Sequence, residues 1–393
     1  MIIFSWRIII LLGVLLPRIY NKKYSREELL KRVGTIHQVY YNRIFELIEG
    51  KEKGVRGIDI RNSSGLNFIV LFDRGMDIPY AEYKGIPLGW NSHIGYVAPS
   101  FYEPEKDEWL RGYFGGLLTT CGLTYMGAPD VDLGEELGLH GRISYTPAER
   151  YSVEEYWNGD EYFIQVSGVL REAKVFGPNI VLERKIRTRM GSKKIIIEDV
   201  VRNEGWEPQP LMILYHINIG FPILDEGSRL VSTTTKIVAR DDEARKGQEE
   251  YDLFHGPVKG YKEKVYFHDL ETDNEGYAYA AVINDNLYEG MGVYVKFNKK
   301  TLKRFVQWKM LGEGLYVVGI EPANSFVMGR SWERKMGTLE YIEPRKEKKF
   351  YVEIGVLEGR EEISKFESTV KQIKKDTKAM FFESIEDFLK HIK

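Results

Sequence analysis

One feature limits the fold of this chain more than any other: a long succession of short apolar runs, many of them alternating, with turn residues between them. Residues 46–49 and 56–61 alternate over a few positions. The LNFIVLF run at 66–72 is an apolar stretch of strand length, closed by Asp73-Arg74-Gly75. Residues 162–170, 179–190 and 193–202 follow in series, the last two joined by Gly191-Ser192 in a hairpin-like connection. The series continues through 211–219, 277–283, 292–297, 305–310, 316–320 and 350–356. Spacing of 3.6 residues is confined to the ends. Residues 25–33 (SREELLKRV) carry Ser25 as N-cap with Glu28 three positions on, a capping box. Residues 361–375 and 384–393 have the spaced apolar positions of helices. Many strands without a strand–helix alternation predict an all-β sandwich or barrel and exclude a parallel α/β fold.

Apolar residues make up 43% of the 393 and aromatics 13%, enough for a large core and against disorder. The net charge is -2 with no basic block, so a nucleic-acid partner is not expected. A single cysteine, Cys121, excludes a disulfide within the chain and a cysteine zinc site, and fits a reducing, cytoplasmic setting. The apolar stretch at 1–16 is interrupted by Arg7 and falls short of the roughly 20 residues of a spanning helix. The PRIY sequence after it is a poor signal-peptide cleavage site. Residues 1–24 are therefore set apart as a leader, a weak anchor or an element packed on the body. A β domain is expected over 25–360, with a helical extension over 361–393.

Individual residues leave their chemistry open. His140 lies between glycines in GLHGR (138–142), where a ligand can approach the backbone closely. His216 interrupts the buried-strand pattern LMILYHINI, as a core hydrogen-bonding residue or one aimed into a cavity. Glu321 ends an apolar strand before Pro322, a position suited to a sheet rim or to a salt bridge. Asp73, Arg74 and Asp77 form a structural ion network or a grip on sugar hydroxyls. Trp308 suits either the core or the face of a sugar ring. The glycine-rich segment at 91–129 is long for a connection, which fits a functional loop or a cover over one end of the sandwich.

The order and wording of several pieces carry more. FDRGMDI at 72–78, GGLLTTCG at 115–122, LHGR at 139–142, LYHINIGFP at 214–222, WK at 308–309 and GIEPAN at 319–324 together resemble the galactose mutarotase-like superfamily, and within it the aldose-epimerase-related DUF4432 group. The resemblance implies a large antiparallel β-supersandwich with a sugar cleft on its concave face. It implies His140 as a substrate-holding imidazole, His216 as general acid and Glu321 as general base. Arg74, Asp77, Arg142, Trp308, Lys309 and Asn324 are the expected substrate-binding residues. An acidic partner used by mutarotases falls at Asp269 or Glu263. The expected activity is aldose 1-epimerisation of a monosaccharide by ring opening and closure, without metal or cofactor, by a chain that need not contact a membrane and that has room to act as a homodimer. A metal-dependent isomerase or lyase using two histidines and a glutamate, and a non-catalytic sugar-binding protein, are the competing expectations.

Overall fold

The strand pattern closes into two eight-stranded sheets and one five-stranded sheet in a computed structural model that describes residues 16–20 and 22–392. One eight-stranded sheet runs Arg150–Asn158, Glu161–Ala173, Asn179–Arg189, Lys194–Asn203, Glu347–Glu358, Met291–Asn298, Tyr277–Asn284 and Arg229–Ser232 in spatial order. All of its pairings are antiparallel. Strands such as Glu161–Ala173 and Lys194–Asn203 alternate between buried and half-buried residues, because there one face packs inward and the other meets solvent. The Gly191-Ser192 hairpin joins two of these strands as expected.

The second eight-stranded sheet positions the site. Its spatial order is Thr119–Leu123, Met212–His216, Leu315–Ala323, Arg304–Gly312, Lys264–Leu270, Thr234–Ala239 and Met380–Phe382, with Asn218–Gly220 also paired to Leu315–Ala323. Every residue of Met212–His216 is buried. Both faces of this sheet are covered, which is why its strands read as almost unbroken apolar runs. One face meets the first sheet in a common core containing Ile164, Leu182, Val293, Ile213, Val318 and Ile320. The other face carries a separate cluster around Tyr113, Tyr125, Val306 and Phe326. The five-stranded sheet, Tyr41–Glu46 to Ile86–Pro87, adds Ile58, Phe68 and Ile78 to the common core.

The ends fold onto this body. Ile19 is buried within the short pair Arg18–Ile19 and Lys22–Lys23; residues 1–15 of the apolar stretch read at 1–16 lie outside the described residues. The helix Arg26–Leu30 has both halves of the Ser25/Glu28 capping box. The strand expected at 46–49 is displaced: it spans Tyr41–Glu46, and Leu47 begins the turn through its bonds with Val55 and Gly54. Gly359–Ile373 packs Ile363, Phe366 and Val370 on the first sheet. Met380–Phe382 extends the second sheet as a parallel strand, and Ile385–His391 buries Phe388 beside it. Among the described residues no helix is long and apolar enough to cross a membrane.

Candidate active site

Strand alternation decides which residues of the second sheet can meet a ligand. On Arg304–Gly312, Val306, Trp308 and Met310 line a cavity, while Phe305 and Lys309 turn to the opposite face. Glu321 lies directly across from Val306, and Trp308 across from Gly319. Gly319 has a steric reason to be glycine: a Cβ there would stand 2.0 Å from Glu321 Oε1, so a side chain would displace the carboxyl group. His216 ends Met212–His216 opposite Thr119. His140 arrives from a loop in the left-handed region, at φ 59°, a conformation that costs free energy in a non-glycine residue. It is held there by His140 N–H donating to Gly127 O and Gly122 N–H donating to His140 O. Gly141 follows because a Cβ would stand 2.2 Å from Tyr125 O.

The three residues meet in one cavity of about 640 Å³, within the roughly 300–1,000 Å³ of small-molecule sites. His216 Nδ1 lies 3.2 Å from Glu321 Oε1. The two are close but not aligned as a hydrogen bond, and Oε1 has no other partner. The His140 and His216 rings stand edge to face with centroids 5.7 Å apart, and His140 Nδ1 is also unpartnered. Tyr113 donates its hydroxyl hydrogen to Asn218 Oδ1 at 2.9 Å, and its oxygen lies 3.3 Å from His216 Nδ1. Trp90, Trp109, Tyr113 and Trp308 form aromatic walls. Trp308 donates its indole N–H to Glu263 at 2.9 Å, and Glu263 pairs with Arg240 on the same rim.

Burial sets the protonation of this group. His140 is lowered to about 4 by loss of solvent. His216 falls well below the ordinary imidazole value for the same reason, with neighbouring His140 adding to it. Burial, reinforced by the charge of Glu263, holds Glu321 well above the ordinary carboxyl value. Burial therefore favours a neutral carboxylic acid beside neutral imidazoles. His216 and Glu321 are close enough for their titrations to be coupled.

Four of the sequence-predicted residues thus come together: His140, His216, Glu321 and Trp308. Five do not. Arg74 is fully enclosed, donating to the carbonyls of Ser144, Val97 and Gly112 and stacking 4.1 Å over Tyr145, and it does not line the cavity. Asp77 is spent on Thr120 and Arg184. Arg142 is exposed and lies over Tyr102 outside the cavity wall. Lys309 donates to the carbonyls of Glu250 and Leu253 on the opposite face. Asn324 holds the backbone of Ile213 and Leu211 in place. Of the two acidic candidates, Glu263 lines the cavity, whereas Asp269 is paired with Lys236 and Lys299 elsewhere. Sequence reading missed Trp90, Trp109 and Tyr113, which border or lie within the long segment at 91–129; the length of that segment was their only signal. Among the described residues, no group of three or more His, Cys, Asp or Glu is placed to hold a metal ion.

This arrangement sits on a chain with recognisable relatives. A family profile described as "Domain of unknown function (DUF4432)" matches residues 52–356. A Klebsiella pneumoniae protein described as a "putative aldose 1-epimerase" superposes with a TM-score of 0.84 at 26% identity, over 89% of this chain and 93% of its own. A galactose mutarotase-like protein from Clostridium acetobutylicum superposes at 0.57 with 14% identity, covering 81% of this chain and 99% of its own. A galactose 1-epimerase from Lactobacillus acidophilus does so at 0.53 with 13% identity, over the same shares. The last two show a common fold. No curated protein matches the chain.

Proposed function

Because the chain belongs to the DUF4432 family and folds like proteins named for aldose epimerisation, we propose that it interconverts the anomers of a free or modified monosaccharide by general acid/base catalysis. The observation that carries this reading is the 3.2 Å approach of His216 to Glu321 at the bottom of an aromatic-walled cavity. Anomer exchange takes a proton from the C1 hydroxyl and gives one to the ring oxygen. The C1–ring oxygen bond breaks as the C1 carbonyl forms. Rotation about C1–C2 and closure on the other face reverse both transfers. The two oxygens share C1, so an acceptor and a donor as close as this pair reach both.

The assignment of Glu321 as base and His216 as acid uses the charged form of the pair. The neutral form runs the same exchange with the roles reversed, and ring closure returns the proton in either case. His140, with its free Nδ1, is suited to hold a sugar hydroxyl. Trp308 and Trp90 offer flat apolar faces to the sugar's C–H groups, and Glu263 and Arg240 offer an acceptor and donors at the rim. General acid and base groups each typically supply about 10²–10⁴-fold.

Glu321→Gln keeps the shape and removes the proton exchange. The expected result is a fall in anomerisation rate of about 10²–10⁴-fold with sugar affinity largely kept. Polarimetry of freshly dissolved α-aldoses, with binding followed by calorimetry, measures both. A full rate in the variant removes Glu321 from the role, and sugar binding without any acceleration by the parent protein makes this a binding protein instead.

A further inference from the structure

A second cavity, of about 590 Å³, shares no lining residue with the first. Its walls carry four cations, Lys299, Lys300, Lys303 and Arg304, against one carboxylate, Glu340. Two of the cations are already matched. Lys299 donates to Asp269 at 2.6 Å and to Leu270 O, and Lys303 pairs with Glu340 at 2.7 Å. Glu340 is shared further, with Lys348 and with the Asn324 amide. Its charge also reaches Arg304, but without an ion pair to it, and its Oε1 has no hydrogen bond.

Arg304 is the anomaly. Its guanidinium lies 5.0 Å over the Phe326 ring, and burial lowers its pKa, with only the more distant charges of Glu333, Asp269 and Glu340 acting against that. Its buried Nε has no hydrogen-bond partner, and one Nη makes only a 3.4 Å contact with Lys303 O. Among the described residues no carboxylate forms an ion pair with Arg304 or with Lys300. Arg304 is half-buried; two fully buried guanidiniums show how this chain treats the group when it is structural. Arg74 is satisfied by three carbonyls, and Arg184 by Asp199, Asp77 and Thr120. A guanidinium stays charged when buried and is costly there when its N–H groups lack acceptors. Its planar fork matches tetrahedral oxyanions in two-pronged fashion.

We propose that this second cavity binds the phosphoryl group of a small molecule, with Arg304 as the two-pronged ligand and Lys300 as a second free cation. Lys303 and Lys299 add positive potential from their paired positions. The site is separate from anomer exchange. Arg304 begins the strand that reaches the catalytic cavity at Val306 and Trp308, and the packed cluster of Val306 and Phe326 adjoins both.

Calorimetric and ³¹P NMR titration of the full chain with inorganic phosphate, then pyrophosphate, tests the assignment. The expected result is one saturable site, tighter for pyrophosphate, weakened at least about tenfold in Arg304→Gln and by less in Lys300→Gln, at about 1.4 kcal/mol per tenfold. Binding is unchanged in Glu321→Gln, and Arg304→Gln retains the parent's anomerisation rate. Should Arg304→Gln fail to fold, Lys300→Gln on the cavity rim decides: a loss supports the site and parent-like binding overturns it. The proposal is also overturned by the absence of saturable binding at millimolar phosphate, or by binding that survives Arg304→Gln or disappears in Glu321→Gln.

Discussion

Arg184 in the sandwich interior and Glu321 in the aromatic cavity are both shut away from bulk water, yet their surroundings differ. Arg184 donates to both oxygens of Asp199, to Asp77, to Gly75 O and to Thr120, and Tyr215 donates to Asp199 from the opposing sheet. Asp199 and Asp77 hold it firmly charged. Glu321 has one oxygen without a hydrogen bond, a histidine 3.2 Å away and open space in front. In the interior, polar groups consume one another and fix the register between sheets. In the cavity they are left incomplete, which leaves capacity for a ligand's groups. A buried polar residue is informative about chemistry when its hydrogen-bonding capacity is unspent.

That contrast has consequences of graded size. The largest is in the interior. Arg184→Met leaves Asp199 and Asp77 buried without their counter-charge, and the expected loss is about 3–5 kcal/mol of stability, the usual result of breaking a buried ion network from one side. Urea denaturation measures it, and a change under about 1 kcal/mol would erase the distinction by making the network no more than a surface pair. Next is Gly319→Ala in the cavity. The added carbon collides with Glu321 Oε1, so the carboxyl group moves while the sheet remains. A displacement on the order of 1 Å at a reacting group costs about 10²-fold in rate. Steady-state anomerisation beside a thermal melt separates this from unfolding: an unchanged rate contradicts the placement of Glu321.

The smallest concerns acid. His268 belongs to the interior pattern, set between Thr234 Oγ1 and Gln307 Oε1, and burial lowers it to about 3. Between about 6.5, the unfolded value, and about 3, the unfolded chain binds a proton that the folded chain refuses. Acidification through that window therefore destabilises the fold by about 1.4 kcal/mol per pH unit from this residue, and above it the residue contributes no pH dependence. His268→Gln should flatten the dependence of stability on pH by that amount. An unaltered slope would place the His268 proton, or its burial, differently.

The sequence made the architecture legible because strand-length apolar runs and turn residues are local signals, and the second sheet's unbroken runs faithfully reported that both its faces are covered. His140, His216 and Glu321 were legible only through the resemblance, since three strand and loop positions far apart in the chain have no local rule that joins them. Arg74 and Asp77 misled for a physical reason: a short Asp-Arg-Asp cluster looks the same whether its donors are free or already used. Lys309 offered a clue that was passed over. It follows Trp308 on one strand, and a period of two places the neighbours on opposite faces. Trp90, Trp109 and Tyr113 come from a segment without periodicity, and only the folded path carries them to the cavity.

The most direct measurement is two-dimensional exchange NMR on an equilibrium mixture of α and β aldoses, with and without the protein, over a panel of free and phosphorylated sugars. The account predicts exchange cross-peaks between the anomers of at least one sugar, present with the parent chain and absent with Glu321→Gln. Exchange no faster than in buffer for every sugar tested, or cross-peaks of equal strength with the variant, would contradict it.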